Sequence, residues 1–85
     1  MLDKVKLALR ISHNMLDSDI KDTIGTARAE MIRVGLSESE ANGDDLLVEE
    51  AIKTYCKAVY SSDEKKAERY FCSWQYQLDN LRKSK

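Results

Sequence analysis

The chain has 85 residues, 42% of them hydrophobic and 34% charged, with a formal net charge of −1 and no proline. That length makes one small domain, which buries only about two-thirds of the surface its unfolded chain exposes. The near-neutral balance excludes a protein held on nucleic acid by a general positive field. The absence of any run of about 18 apolar residues excludes a membrane-spanning helix. The opening segment MLDKVKLALRI mixes charges into its apolar residues and lacks the unbroken core of a signal peptide, so a cytoplasmic location is expected. With no proline and only Gly25, Gly35 and Gly43, little in the chain breaks helices.

The first predicted helix is short, over about residues 4–10, with Asp3 as its cap and Leu2 and Leu7 placed for a hydrophobic staple. Val5, Ala8 and Leu9 share a face with Leu2. A polar corner, Ser12-His13-Asn14, follows. The second helix begins after Asp17, read as its cap, and carries Ile20, Thr23, Ile24, Ala27, Met31 and Val34 at three- and four-residue spacing before Gly35 stops it. Residues 36–43, LSESEANG, read as the one real loop.

The third helix runs from the acids Asp44-Asp45 to about Tyr60, two carboxylates being favourable at the positive end of a helix. Its inner stripe is Val48, Ala51, Ile52, Tyr55 and Val59, with Cys56 at the margin. Ser61-Ser62-Asp63-Glu64 reads as a capping box before a fourth helix over about residues 63–82. There Ala67, Tyr70, Phe71, Trp74, Leu78 and Leu81 line one face. The expected fold is therefore all-α, a single four-helix domain over residues 1–85 with a short N-terminal helix and three longer ones.

No constellation in the chain supports catalysis, and no cofactor is expected. His13 is the only histidine, and Ser12 and Asn14 beside it read as turn residues rather than as a nucleophile and an orienting group. A zinc site would need a second histidine or a thiolate pair. Cys56 and Cys72 form no Cys-x-x-Cys and read as two reduced structural thiols. The acids Glu38, Glu40, Asp44, Asp45, Glu49 and Glu50 lack the alternate-position spacing of a calcium loop and read as helix caps and a solvated face. His13 is thus expected to be an exposed corner residue.

Some side chains fall outside the hydrophobic faces. Cys72 and Tyr76 project roughly opposite Phe71, Trp74 and Leu78, and Gly25, Ala29 and Ile32 form a flat strip away from Ile20, Ala27 and Met31. Either these helices are sandwiched within the monomer, or the strips make a second buried surface between subunits. The basic end, Arg82, Lys83 and Lys85, suits either a phosphate contact or the negative end of its own helix.

The order of parts is Leu9-Arg10-Ile11, a polar corner, Asp17-x-x-Ile20, a loop, Asp45-x-Leu47-Val48-x-x-Ala51-Ile52-x-x-Tyr55, and a last aromatic helix. This resembles the small head–tail connector (adaptor) proteins of tailed bacteriophages, also known as DNA-packaging proteins and found in prophages. The resemblance covers essentially the whole chain. Members often carry a proline just after the aspartate that opens the third helix; Leu46 stands there here, leaving the cap intact.

The resemblance implies a structural virion protein with no active site. Monomeric in isolation, it would assemble as a dodecameric ring beneath the portal protein once the head is filled. It would extend the channel through which packaged DNA passes without sequence-specific binding, and dock a stopper or tail-completion protein. It would reside at the virion head–tail junction after assembly in the host cytoplasm. Neighbours in the ring would meet through Gly25, Ala29, Ile32, Cys72 and Tyr76. The C-terminal segment, with Tyr76, Leu81, Arg82, Lys83 and Lys85, would reach the portal. The alternative is a small helical DNA-binding regulator, but the third helix offers only Lys53 and Lys57 on its outer face and opens with acids that phosphates repel.

Overall fold

A computed structural model describes residues 1–43 and 45–83. These form five helices, α1 (Leu2–Leu9), α2 (Asp17–Arg33), α3 (Glu38–Ala41), α4 (Leu46–Tyr60) and α5 (Glu64–Lys83), with no strand among the described residues. The all-α expectation holds, with a one-turn helix added where only a loop was expected. Asp44, expected to share the cap of α4, lies outside the described residues, as do Ser84 and Lys85.

Both early helices end in the same way. At the end of α2 the Gly35 amide donates to the Ile32 carbonyl and the Leu36 amide to that of Met31, while Gly35 sits at φ 119°. This is a Schellman turn, closed over by buried Leu36. At the end of α1 the Arg10 amide donates to Leu7 and that of Ile11 to Lys6, with half-buried Ile11 packed on the core. Here the left-handed position is held by Arg10, at φ 59°, the only positive-φ residue other than glycine among those described. The chain then turns through exposed Ser12, His13, Asn14 and Met15, so the histidine is a corner residue as expected.

The starts of these two helices differ from the sequence expectation. Asp3 is not a cap: Met1 takes that position without a side-chain bond, and Asp3 lies inside the first turn. Leu7 is almost fully exposed and makes no staple with Leu2. Asp17 is likewise a first-turn residue rather than the cap, Leu16 preceding it. Its Oδ1 lies 2.8 Å from Lys6 Nζ, a close ion pair, while the same ammonium donates to Asn14 Oδ1 at 3.1 Å. The corner is thus tied to α1 by side chains rather than by a helix cap.

Within residues 36–43, Ser37 Oγ accepts from the Glu40 amide at 3.2 Å and Glu40 Oε1 accepts from the Ser37 amide at 3.1 Å. That reciprocal pair nucleates α3, and Ser-x-x-Glu was its sequence signal. Arg28 Nη1 donates to the Ala41 carbonyl at 2.9 Å and fastens the end of α3 to α2. Gly43 is required by close approach, because a Cβ there would lie 2.8 Å from the Ser39 carbonyl oxygen.

Helix α4 is the hub, since α1, α2 and α5 all pack on it. It starts at Asp45, whose Oδ1 accepts from the Leu47 amide at 2.7 Å. Val48, Ala51, Ile52, Cys56 and Ala58 are buried, and Cys56 lies in the middle of the core rather than at its margin. Val59, expected inside, is 43% exposed. Helical spacing puts both Cys56 and Val59 on the face of Ile52, but Val59 lies in the last turn of α4 and is left uncovered there. Tyr60, at the far end, donates to Asp19 Oδ2 and lies 3.3 Å from Thr23 Oγ1, locking the end of α4 to the start of α2.

The turn into α5 is capped by Asp63, whose Oδ1 accepts from the amides of Lys65 and Lys66 at 2.9 and 3.3 Å. Ser61 braces Asp63 through its main chain, so the expected Ser61–Glu64 box is replaced by an aspartate cap. Trp74, Leu78 and Leu81 are the buried residues of α5. Tyr55 of α4 packs on Trp74 at a centroid distance of 4.9 Å and meets Phe71 edge-on at 6.0 Å. Phe71 is therefore the outer edge of the aromatic seam, 41% exposed, rather than a core residue.

One ion pair joins the N-terminal helix to the hub. Lys4 Nζ donates to both carboxylate oxygens of Glu49, at 2.9 and 2.8 Å, and Glu49 is the one buried charged residue among those described. The Lys4 ammonium holds the Glu49 carboxyl below its ordinary value. A depressed carboxylate pKa stabilises the native state above the unfolded value, and that contribution is lost as pH falls through the native one. Lys4→Met should lower the melting temperature at pH 7, and the difference from wild type should shrink as thermal melts are carried down through the acid range in which Glu49 becomes protonated. The aromatic seam gives a second expectation. Trp74→Ala should cost about 3–5 kcal/mol in urea denaturation followed by circular dichroism, whereas Phe71→Ala should cost much less.

Candidate assembly surfaces

Burial sorts the expected contact residues into two exposed strips and a tail. On α2, the inward set Ile20, Ile24, Ala27 and Met31 turns Gly25 and Ala29 to solvent and leaves Ile32 37% exposed. On α5, the inward set Trp74, Leu78 and Leu81 turns Cys72 and Tyr76 outward, Tyr76 being 69% exposed. Helices α2 and α5 both pack on α4. The monomer therefore does not sandwich these strips, and each is free to meet another molecule.

Gly25 adds a physical argument. A glycine inside an exposed helix costs about 0.5–1 kcal/mol relative to alanine, yet a Cβ there would meet nothing within 4 Å and Gly25 needs no left-handed φ. Nothing inside the monomer asks for glycine at this place. Together with Ala29 it leaves a shallow floor one turn below Ile32, on which another helix could lie closely.

The tail divides differently. Arg82 reaches Asp79 at 3.7 Å, a loose surface pair, and Lys83 is exposed. Lys85 lies outside the described residues. Leu81 is in the hydrophobic core, 8% exposed, so its side chain packs within the monomer.

Sequence reading missed several exposed apolar residues, namely Leu7, Met15, Leu46 and Leu47. Leu46 and Leu47 precede the α4 stripe, and the offset of each from Val48 and Ile52 was the signal that they point away. Leu47 borders a small cleft with Glu50, Gln77, Asn80 and Leu81. The thiols differ sharply. Burial pushes Cys56 up to about 11, making it a poor nucleophile at neutral pH, while Cys72 lies on the surface. No disulfide links them. Among the described residues no group of three metal-ligating side chains comes together, and no helix is long and apolar enough to cross a membrane.

Fold and surface thus define a class: a small helical protein that leaves exposed apolar residues on the outer sides of α2 and α5. The family model of phage connector proteins matches residues 1–83, and the chain belongs to that family of head–tail connectors. It is a structural protein family rather than an enzymatic one, and its place is the head–tail junction of the virion. No curated protein and no solved structure matches the chain. Because the monomer gains nothing from Gly25, Gly25→Ala should raise the melting temperature of the isolated protein, corresponding to about 0.5–1 kcal/mol, in a calorimetric scan at a concentration where wild type is monomeric.

Proposed function

We propose that this connector works as an adaptor ring beneath the portal, closed by heterologous contacts between the α2 strip of one subunit and the α5 strip of the next. The observation that carries the reading is the exposure of Ile32 and Tyr76, two large side chains on different helices that the monomer leaves outside its core. Two different strips on one chain suit a head-to-tail contact, which closes a ring when its rotation permits. Burying each large side chain contributes about 1.5–3 kcal/mol. Repeated around a closed ring, a modest term becomes a strong preference for assembly.

In this reading the subunit is monomeric at low concentration and is gathered by the portal once the head is filled. The ring is dodecameric, lengthens the channel for packaged DNA and offers a docking surface to the stopper or tail-completion protein. Tyr76, Arg82 and Lys83 are the described residues placed to reach the portal, with Lys85 beyond them. Assembly takes place in the host cytoplasm. No step of this work needs a catalytic group, a metal or a cofactor.

Ile32→Asp and Tyr76→Asp should each melt within a few degrees of wild type, because neither residue supports the core. Both should fail to sediment with portal-bearing heads. Normal co-sedimentation of both variants would remove the strips from the interface, and early unfolding of both would return them to the monomer's own packing.

A further inference from the structure

One basic feature of the surface has cations that play no part in the contacts described so far. A shallow cavity of about 560 Å³ opens where the end of α1 meets the turn between α4 and α5, and Arg10, Lys57, Lys66, Ser62 and Tyr70 are among its lining residues. Among the described residues, the side chains of Arg10, Lys57 and Lys66 form no ion pair or hydrogen bond. By contrast Lys4, Lys6, Arg28, Arg33, Lys53 and Arg82 are paired, and the remaining unpaired cations among the described residues, Lys21, Lys65, Arg69 and Lys83, do not line this cavity. The Ser62 and Tyr70 hydroxyls likewise have no protein partner, whereas the Tyr60 hydroxyl is spent on Asp19. The only carboxylate in the wall, Asp63, is turned onto its own helix, accepting from the Lys65 and Lys66 amides.

Arg10 supplies a second, independent observation. Two helices of this chain end in the same Schellman turn, and α2 fills the left-handed position with Gly35. The α1 turn fills it with arginine, which is disfavoured in that conformation. Backbone geometry alone would select glycine or asparagine there. Its guanidinium makes no compensating bond within the protein, so the side chain has its use outside. Strain held at an unpaired cation on the rim of a cavity points to a ligand.

We propose that this trough contacts the phosphate groups of a nucleic-acid backbone. The three cations can only donate, the two free hydroxyls can donate beside them, and no free carboxylate competes, which favours an oxyanion. The trough is open along one side and its cations belong to three separate segments, which suits successive phosphates on a strand better than one enclosed ion. No base-reading set of side chains lines it, so the contact is independent of sequence. Three charges make a weak, salt-sensitive contact, suited to DNA that must pass rather than stop. The proposal rests on the connector reading for the presence of DNA, and it does not require the ring.

The test uses the isolated full-length chain and a fluorescent 30-base-pair duplex of arbitrary sequence in an anisotropy titration. About three neutralised phosphates predict a log K against log salt slope of about −2.7, or an affinity loss of about 40-fold between 50 and 200 mM salt. Arg10→Gly should shallow the slope by about 0.9 while melting no earlier than wild type, because glycine suits the turn. Lys57→Gln with Lys66→Gln should shallow it by about 1.8. Unchanged DNA binding in these variants, or no salt dependence in wild type, overturns the proposal. Two further arms separate the sources of charge. Inorganic phosphate competing as well as DNA at equal phosphate concentration would make this a small-anion site. Polyglutamate competing equally would make it a contact for an acidic protein. Either result overturns the backbone assignment. Since no heads or portals are present, failure here leaves the adaptor reading untouched, and sedimentation of the same variants with heads reports on assembly separately.

Discussion

The structure depends on covering one helix. With 85 residues the chain can surround only α4 with its own elements, and α1, α2 and α5 are spent in doing so. Val48, Ile52 and Cys56 take up one part of its circumference, and Tyr55 with Ala58 another, so α2 and α5 each contribute one apolar face to the hub. No further layer exists to cover their outer sides. The exposure of Ile32 and Tyr76 follows from that arithmetic of surfaces rather than from poor packing.

Polar contacts fix how the layers are held against the hub. Lys4 and Glu49 fasten one end of α1 to the first turn of α4, and Lys6 with Asp17 and Asn14 fastens the corner that follows. Tyr60 joins the far end of α4 to Asp19 and Thr23 of α2, while Arg28 holds α3 under the opposite end of α2. These bonds sit at the edges of the apolar layers, where they define register. The burial of Trp74, Met31, Ile52 and their neighbours supplies most of the stabilisation. A subunit built this way is well ordered yet has little surplus core, which suits a part completed by its neighbours.

Two kinds of unspent chemistry remain on the outside. The strips on α2 and α5 are apolar or small and are suited to another copy of the chain. The trough beside Arg10 is polar, cationic and open. They occupy different places and make different demands, close packing in one case and long-range attraction in the other. A connector that grips its neighbours firmly and touches DNA loosely would gain from keeping these two functions on separate surfaces.

Much of this was legible in the sequence, because helix periodicity is local. The spacing of Ile20, Ile24, Ala27 and Met31, and of Trp74, Leu78 and Leu81, named the inward faces and therefore the outward strips. The sequence also carried the family pattern and the corner at His13. The details of the ends were not legible, since Asp3, Asp17 and Glu64 all obey cap rules that the folded chain does not use. Asp17 is claimed by Lys6, and Asp63 displaces Ser61, because a cap is chosen by which neighbour is in reach after packing. Cys56 and Val59 exchanged places for a similar reason: on a hub covered from several sides, the neighbouring helices decide how far the buried stripe extends. The trough is the clearest case. Arg10, Lys57 and Lys66 are scattered along the chain, and only the meeting of α1 with the α4–α5 turn brings their charges to one cavity.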